Sequence, residues 1–156
     1  MINLKDRQQG SSLIEVLVAL FILAVGLLGV LAMQSRAVQL NQNAYLYSQA
    51  AVLANDVMEA MRTSPTSLGT YNINYGDPSP NSPACATATA GCSSESDIAL
   101  WNVSQWRNNI ENLLPGGQGE IARVGNDIFI RVRFQIGYNE LTNQAINDEV
   151  VMVSGQ

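Results

Sequence analysis

Residues 13 to 33 read LIEVLVALFILAVGLLGVLAM, 21 positions with one charge, Glu15. As a helix rising about 1.5 Å per residue, this run is roughly 31 Å long, the hydrocarbon thickness of a bilayer. A head made from the rest of a 156-residue chain cannot wrap such a rod. The apolar run must be buried in lipid or in other chains. An ordinary secretory signal has an apolar core of about 7–15 residues before a small-residue cut site, and is discarded. This run is longer, and helix-forming sequence continues after it, so the segment reads as one that stays.

The continuation carries its own pattern. No Gly or Pro occurs from Val30 to Ser64. Ala37, Leu40, Ala44, Tyr47, Ala51, Ala54, Met58 and Met61 recur at steps of three and four, which is one stripe of a helix. Leu46, Ala50, Leu53, Val57 and Ala60 widen it. The spacing predicts one helix from about Ser12 to Arg62, apolar all round in its first half and amphipathic in its second.

Thr63 to Ser96 reads as loop, punctuated by Pro65, Pro78, Pro80, Pro83, Gly69, Gly76 and Gly91. Asp97 to Leu114 reads as a shorter amphipathic helix anchored by Ile98, Trp101, Trp106, Ile110, Leu113 and Leu114. Val103 fits that face less well, and Pro115-Gly116-Gly117 ends the helix. Strand signals follow at Glu120 to Val124, Asp127 to Ile136 and Val150 to Val153, with Gly137 to Asp148 as a long turn. In the second strand Ile128, Ile130, Val132, Phe134 and Ile136 share one face; Phe129, Arg131, Arg133 and Gln135 share the other. Arg131 and Arg133 are expected on a solvated face. The fold class is therefore α+β: a long N-terminal helix, hydrophobic in its first half, packed on a small antiparallel sheet.

Composition narrows function by exclusion. The chain has no histidine, so the commonest general base and metal ligand are both missing. A net charge of −5 gives no electrostatic reason to expect nucleic acid as a partner. Cys85 and Cys92 make a poor zinc site without histidine; in an exported domain such a close pair reads as a disulfide. Gly117-Gln-Gly119 meets the loose dinucleotide pattern, but a helix precedes it and a strand follows, the reverse of what that pattern needs. Asn102-Val-Ser104 is a formal glycosylation sequon read as accidental. No catalytic constellation, cofactor site or metal site is expected, and the chain does not read as an enzyme.

The most informative stretch precedes the apolar run: Gly10-Ser11-Ser12-Leu13-Ile14-Glu15, behind a short leader that holds Lys5 and Arg7. Glycine lets an extended backbone approach a protease closely. Lys5 and Arg7 favour a cytoplasmic leader by the positive-inside bias. A carboxylate within an apolar segment costs several kcal/mol unless paired. A cut after Gly10 would make the new amine of Ser11 the nearest cation to Glu15 on its own chain.

This stretch resembles the cleavage site of type IV prepilins, in which a short basic leader ends in glycine and glutamate is the fifth residue after the cut. One position departs: phenylalanine usually follows the cut, where this chain has Ser11. The resemblance implies cleavage by prepilin peptidase between Gly10 and Ser11, N-methylation of Ser11, and a role for Glu15 in assembly with a neighbouring subunit's amine. It also implies other major and minor pilins as partners, the inner membrane before assembly, and a surface pilus afterwards. The expected division is a leader at 1–10, a transmembrane or filament-core helix at 11–34 and an extracytoplasmic head at 35–156. Leu13 to Gln34 looks most like the PilV group of minor pilins, the type IV pilus modification proteins. Trp101 to Gly117 (WNVSQWRNNIENLLPGG) is also similar to that group. A type II secretion pseudopilin shares the same leader chemistry. A single-pass anchored binding or sensor module would need neither a cut at Gly10 nor a buried Glu15.

Overall fold

The computed structural model describes residues 11–89 and 91–155. The order is a helix α1 (Ser11–Arg62), 3-10 turns at Pro65–Tyr71 and Ala84–Thr87, a helix α2 (Glu95–Leu113), then strands β1 (Gln118–Val124), β2 (Asp127–Asn139) and β3 (Gln144–Gly155). The fold class is α+β, with a long apolar N-terminal helix and a three-stranded antiparallel sheet in the order β1-β2-β3. Two compact units divide between Gln42 and Asn43. The described part of the first, from Ser11, is helical and exposes every side chain from Leu13 to Gln42.

The second unit, from Asn43 on, is the head, and its core follows from three periodicities. From α1 it takes Ala50, Leu53, Ala54, Val57 and Met61; from α2, Ala99, Val103, Trp106 and Ile110; from the sheet, Ile121, Ile128, Ile130, Val132 and Phe134. Burial alternates along β2 as the sequence pattern requires, with Ile128, Ile130, Val132 and Phe134 all buried. The buried stripe of α1 joins Ala54 and Met61 of the predicted stripe to three of the residues read as widening it. Ala50, Leu53 and Val57 are buried, while Ala44 is exposed and Tyr47 and Met58 only partly covered.

Both helices end for local reasons. Ser94 caps α2, its Oγ accepting from the Asp97 N–H at 3.3 Å, and Glu95 and Asp97 sit in the first turn where the helix dipole favours carboxylates. Beyond α2 the chain must turn back onto it. Gly116 takes φ +57, and a Cβ on Gly119 would lie 2.5 Å from Trp106 Cη2 and 2.7 Å from Ile110 Cδ1. Glycine there lets β1 lie directly on the α2 core residues. The β1–β2 turn is the two-residue link Gly125-Asn126 between paired Val124 and Asp127, with Gly125 at φ +64.

Three expectations need correction. Gly137 to Asp148 is not a long turn: β2 runs to Asn139, β3 starts at Gln144, and only four residues separate them. Polar, exposed strands lack the alternation that betrays a half-buried one. Here register shifts between Gln135 and Gly137, and the hairpin extends beyond β1 as a two-stranded arm. Trp101 is not a core anchor but 42% exposed, and Leu113 is 54% exposed. Val103 is fully buried instead, because α2 is turned so that Ala99, Val103, Trp106 and Ile110 face inward.

The proline-rich segment is held by side chains with little core of its own. Tyr71 is fully buried; its hydroxyl donates to the Ala60 carbonyl at 3.1 Å and accepts from Asn102 Nδ2 at 3.0 Å. Arg107, 3% exposed, donates to the carbonyls of Gly119 at 2.6 Å and Asp77 at 2.5 Å. Ser79 reaches Glu111 and Ser82 reaches Ser104, each at 3.0 Å. A disulfide joins Cys85 to Cys92. In the chain-entropy account, closing an eight-residue loop contributes about 2.5 kcal/mol.

Candidate functional site

The first unit carries the residues singled out in the sequence. Gly10 lies outside the described residues. Ser11 is the first residue of α1 and Glu15 lies four positions on, one helical turn away. The Glu15 side chain is exposed, and no ion pair is found for it among the described residues. Around and beyond it Leu13, Ile14, Val16, Leu17, Phe21, Leu23, Leu27 and Leu31 are each more than half exposed. Apolar surface on that scale is stable only when lipid or other chains cover it. The helix is long and apolar enough to cross a membrane. Gly26 and Gly29 sit in it with nothing within 4 Å of an added Cβ, so close packing within this chain does not require them.

Cys85 and Cys92 sit in the second unit, bonded to each other. Among the described residues no group of three or more His, Cys, Asp or Glu is placed to hold a metal ion. The Asn102 sequon is occupied structurally: Asn102 Nδ2 donates to Tyr71, and Val103 and Ser104 are fully buried.

The head's outer sheet face holds a charge ladder that sequence reading missed. Register places Glu120 opposite Arg131, and Arg133 opposite Glu149. Arg131 donates to Glu120 and stacks its guanidinium 5.4 Å from the Phe129 ring centroid. Arg133 lies 4.0 Å over the Tyr75 ring and 3.9 Å from Glu149, whose carboxylate accepts from the Tyr75 hydroxyl at 3.0 Å. Burial, then the Glu149 carboxylate, push the Tyr75 phenol well above its ordinary range. On the inner side, Tyr47 packs edge-on to Phe134 at 5.1 Å and donates to Asp148. That bond, with the Glu149 N–H, holds Asp148 below the usual carboxylate range. Alternation on β2 was the available signal for the arginines; their partners required the strand register.

Comparison with known families bears on both units. Residues 5–31 match the prokaryotic N-terminal methylation motif, a span that includes Gly10, Ser11 and Glu15. Residues 32–104 match the Tt1218-like family, described as type IV pilin Tt1218. The chain is pilin-like. Its match to an N-terminal methylation motif runs directly into a match to a type IV pilin family, on an α+β fold with an apolar N-terminal helix. That pairing supports a structural subunit that is processed as a prepilin and assembles with other pilins. It also accounts for an apolar helix exposed along its length. Neither the curated proteins nor the solved structures yield a match.

Proposed function

We propose that this chain is a minor pilin of the PilV group, made as a prepilin and built into, or priming, a type IV pilus. Prepilin peptidase cuts between Gly10 and Ser11 and methylates the new Ser11 amine. Before assembly, residues 11–34 hold the protein in the inner membrane as a single span, with residues 35–156 outside the cytoplasm as the head. In the filament the apolar helix packs among those of neighbouring pilins, and Glu15 meets the N-terminal amine of an adjacent subunit.

The observation that carries this reading is the adjoining pair of family matches, motif then pilin segment, on one continuous helix from Ser11 to Arg62. The physical logic agrees. An unpaired carboxylate in an apolar setting costs several kcal/mol, and an ammonium partner in a filament relieves that cost. A clean deletion, complemented in trans, tests the role. The expected result is fewer surface pili, restored by the wild-type gene. Normal piliation would overturn the minor-pilin role, and a defect confined to protein secretion would assign the chain to a secretion system instead.

A further inference from the structure

The head core is open at the end nearest the β1–β2 turn. Two clefts of about 250 and 240 Å³ share Met61, Leu68 and Ile128 as a common wall. The first adds Met58, Pro65 and Ile130; the second adds Gly69, Ile121 and Arg123. The cause lies in the register. The last inner-face row of the sheet is Arg123, Ile128 and Ser154, so its only apolar member is Ile128. Gly69 lines the second cleft without a side chain, and a Cβ added there meets nothing within 4 Å.

The charge at this opening is unusual for this head, which carries eleven carboxylates against five arginines from Asn43 onward. Four of those arginines have a carboxylate within 4.0 Å: Arg62 with Glu59, Arg107 with Glu111, Arg131 with Glu120 and Arg133 with Glu149. Arg123 has none among the described residues, and its Nε donates to the Gly125 carbonyl at 3.2 Å. It is exposed, at the rim of an apolar cleft. A mostly apolar cavity with a few polar groups, here Asn72 and Arg123 in the second cleft, is the usual form of a small-ligand site. Methionine walls adapt to flexible chains.

We infer that this cleft is a binding site for a small amphiphilic carboxylate, its alkyl chain lying along Met61, Leu68 and Ile128 and its carboxylate on the Arg123 guanidinium. A guanidinium offers a planar fork that matches a carboxylate and rejects a cationic headgroup.

The test uses the full chain in lipid nanodiscs with ¹³C-methyl methionine, titrated separately with octanoate, 1-octanol and octylammonium. Met58 and Met61 report the cleft, and Met33 in the apolar helix reports partition into lipid. Octanoate is expected to shift Met58 and Met61 saturably and to bind at least roughly tenfold more tightly than octylammonium, a difference of about 1.4 kcal/mol. Arg123→Gln should weaken octanoate to the level of octanol and leave octanol unchanged. Gly69→Leu, whose side chain enters open space, should abolish both responses while the spectrum stays folded. Unmoved Met58 and Met61 signals, equal responses to octanoate and octylammonium, or full octanoate binding by Arg123→Gln would each overturn the assignment.

Discussion

Gly119→Ala should destabilise the head although it adds a single methyl. At an unstrained site this exchange stabilises by about 0.4–1 kcal/mol, because the unfolded chain loses freedom. Here the added Cβ would sit 2.5 Å from Trp106 Cη2 and 2.7 Å from Ile110 Cδ1, and both side chains are buried. Overpacking of this kind costs about 1–3 kcal/mol. Trp106 cannot withdraw freely, since its Nε1 donates to the Leu53 carbonyl at 2.9 Å. The net loss is expected to be about 1–2 kcal/mol, which lowers a urea midpoint by roughly 0.5–1 M at the slope of a small domain. Urea titration of the head, followed by tryptophan fluorescence, reads it. The clashing atoms belong to the indole's six-membered ring, so Trp106→Phe should shrink the cost of Gly119→Ala by coupling in a double-mutant cycle. Trp101 remains as the probe in that background. A Gly119→Ala midpoint at or above wild type, or a cost unchanged by Trp106→Phe, would refute the close-approach argument.

Other expectations follow from single contacts. Replacing Cys85 and Cys92 together by serine should lower head stability by about 2.5 kcal/mol at most, and expose Ala84–Ser94 to proteolysis before the rest of the head unfolds. Asp148 titrates low because Tyr47 donates to it, so its contribution is complete above the ordinary carboxylate value and is lost as pH falls through the lowered one. Tyr47→Phe should move the Asp148 midpoint, followed by carboxyl NMR, up toward its ordinary value and flatten the acid-side loss of stability below about pH 4. Glu15→Gln should still be cut at Gly10 but enter filaments roughly tenfold less well, the equivalent of about 1.4 kcal/mol, as read by the ratio of sheared to cell-associated protein.

The two helices and the central strand were legible because each has a strong period. α1 spans 52 residues with neither proline nor a helix-stopping pair, and β2 alternates without a break from Ile128 to Phe134. What escaped reading depends on partners distant in sequence. The first half of β3 is polar and exposed, and it is a strand only because β2 pairs with it as far as Asn139. Arg107 looked like an ordinary surface residue of a helix, yet the return of the chain at Gly119 and the loop at Asp77 bury it. Trp101 and Trp106 are five apart, too far round a helix for both to face inward, and the Leu53 carbonyl is satisfied by the second. Gly10, Ser11 and Glu15 could be proposed from sequence because they lie in one contiguous stretch, inside the span that matches the methylation motif. The cleft at Arg123 was not, because it exists only where two strands and two helical segments meet.

The central claim is that this chain is cut once, ahead of its apolar helix, and keeps that helix. Intact mass and N-terminal sequencing of the protein from membranes, with and without prepilin peptidase, test it most directly. The account predicts a mature chain that begins at Ser11 with a methylated amine, present only when the enzyme is. A chain that still begins at Met1, or one cut after the apolar run, would contradict it.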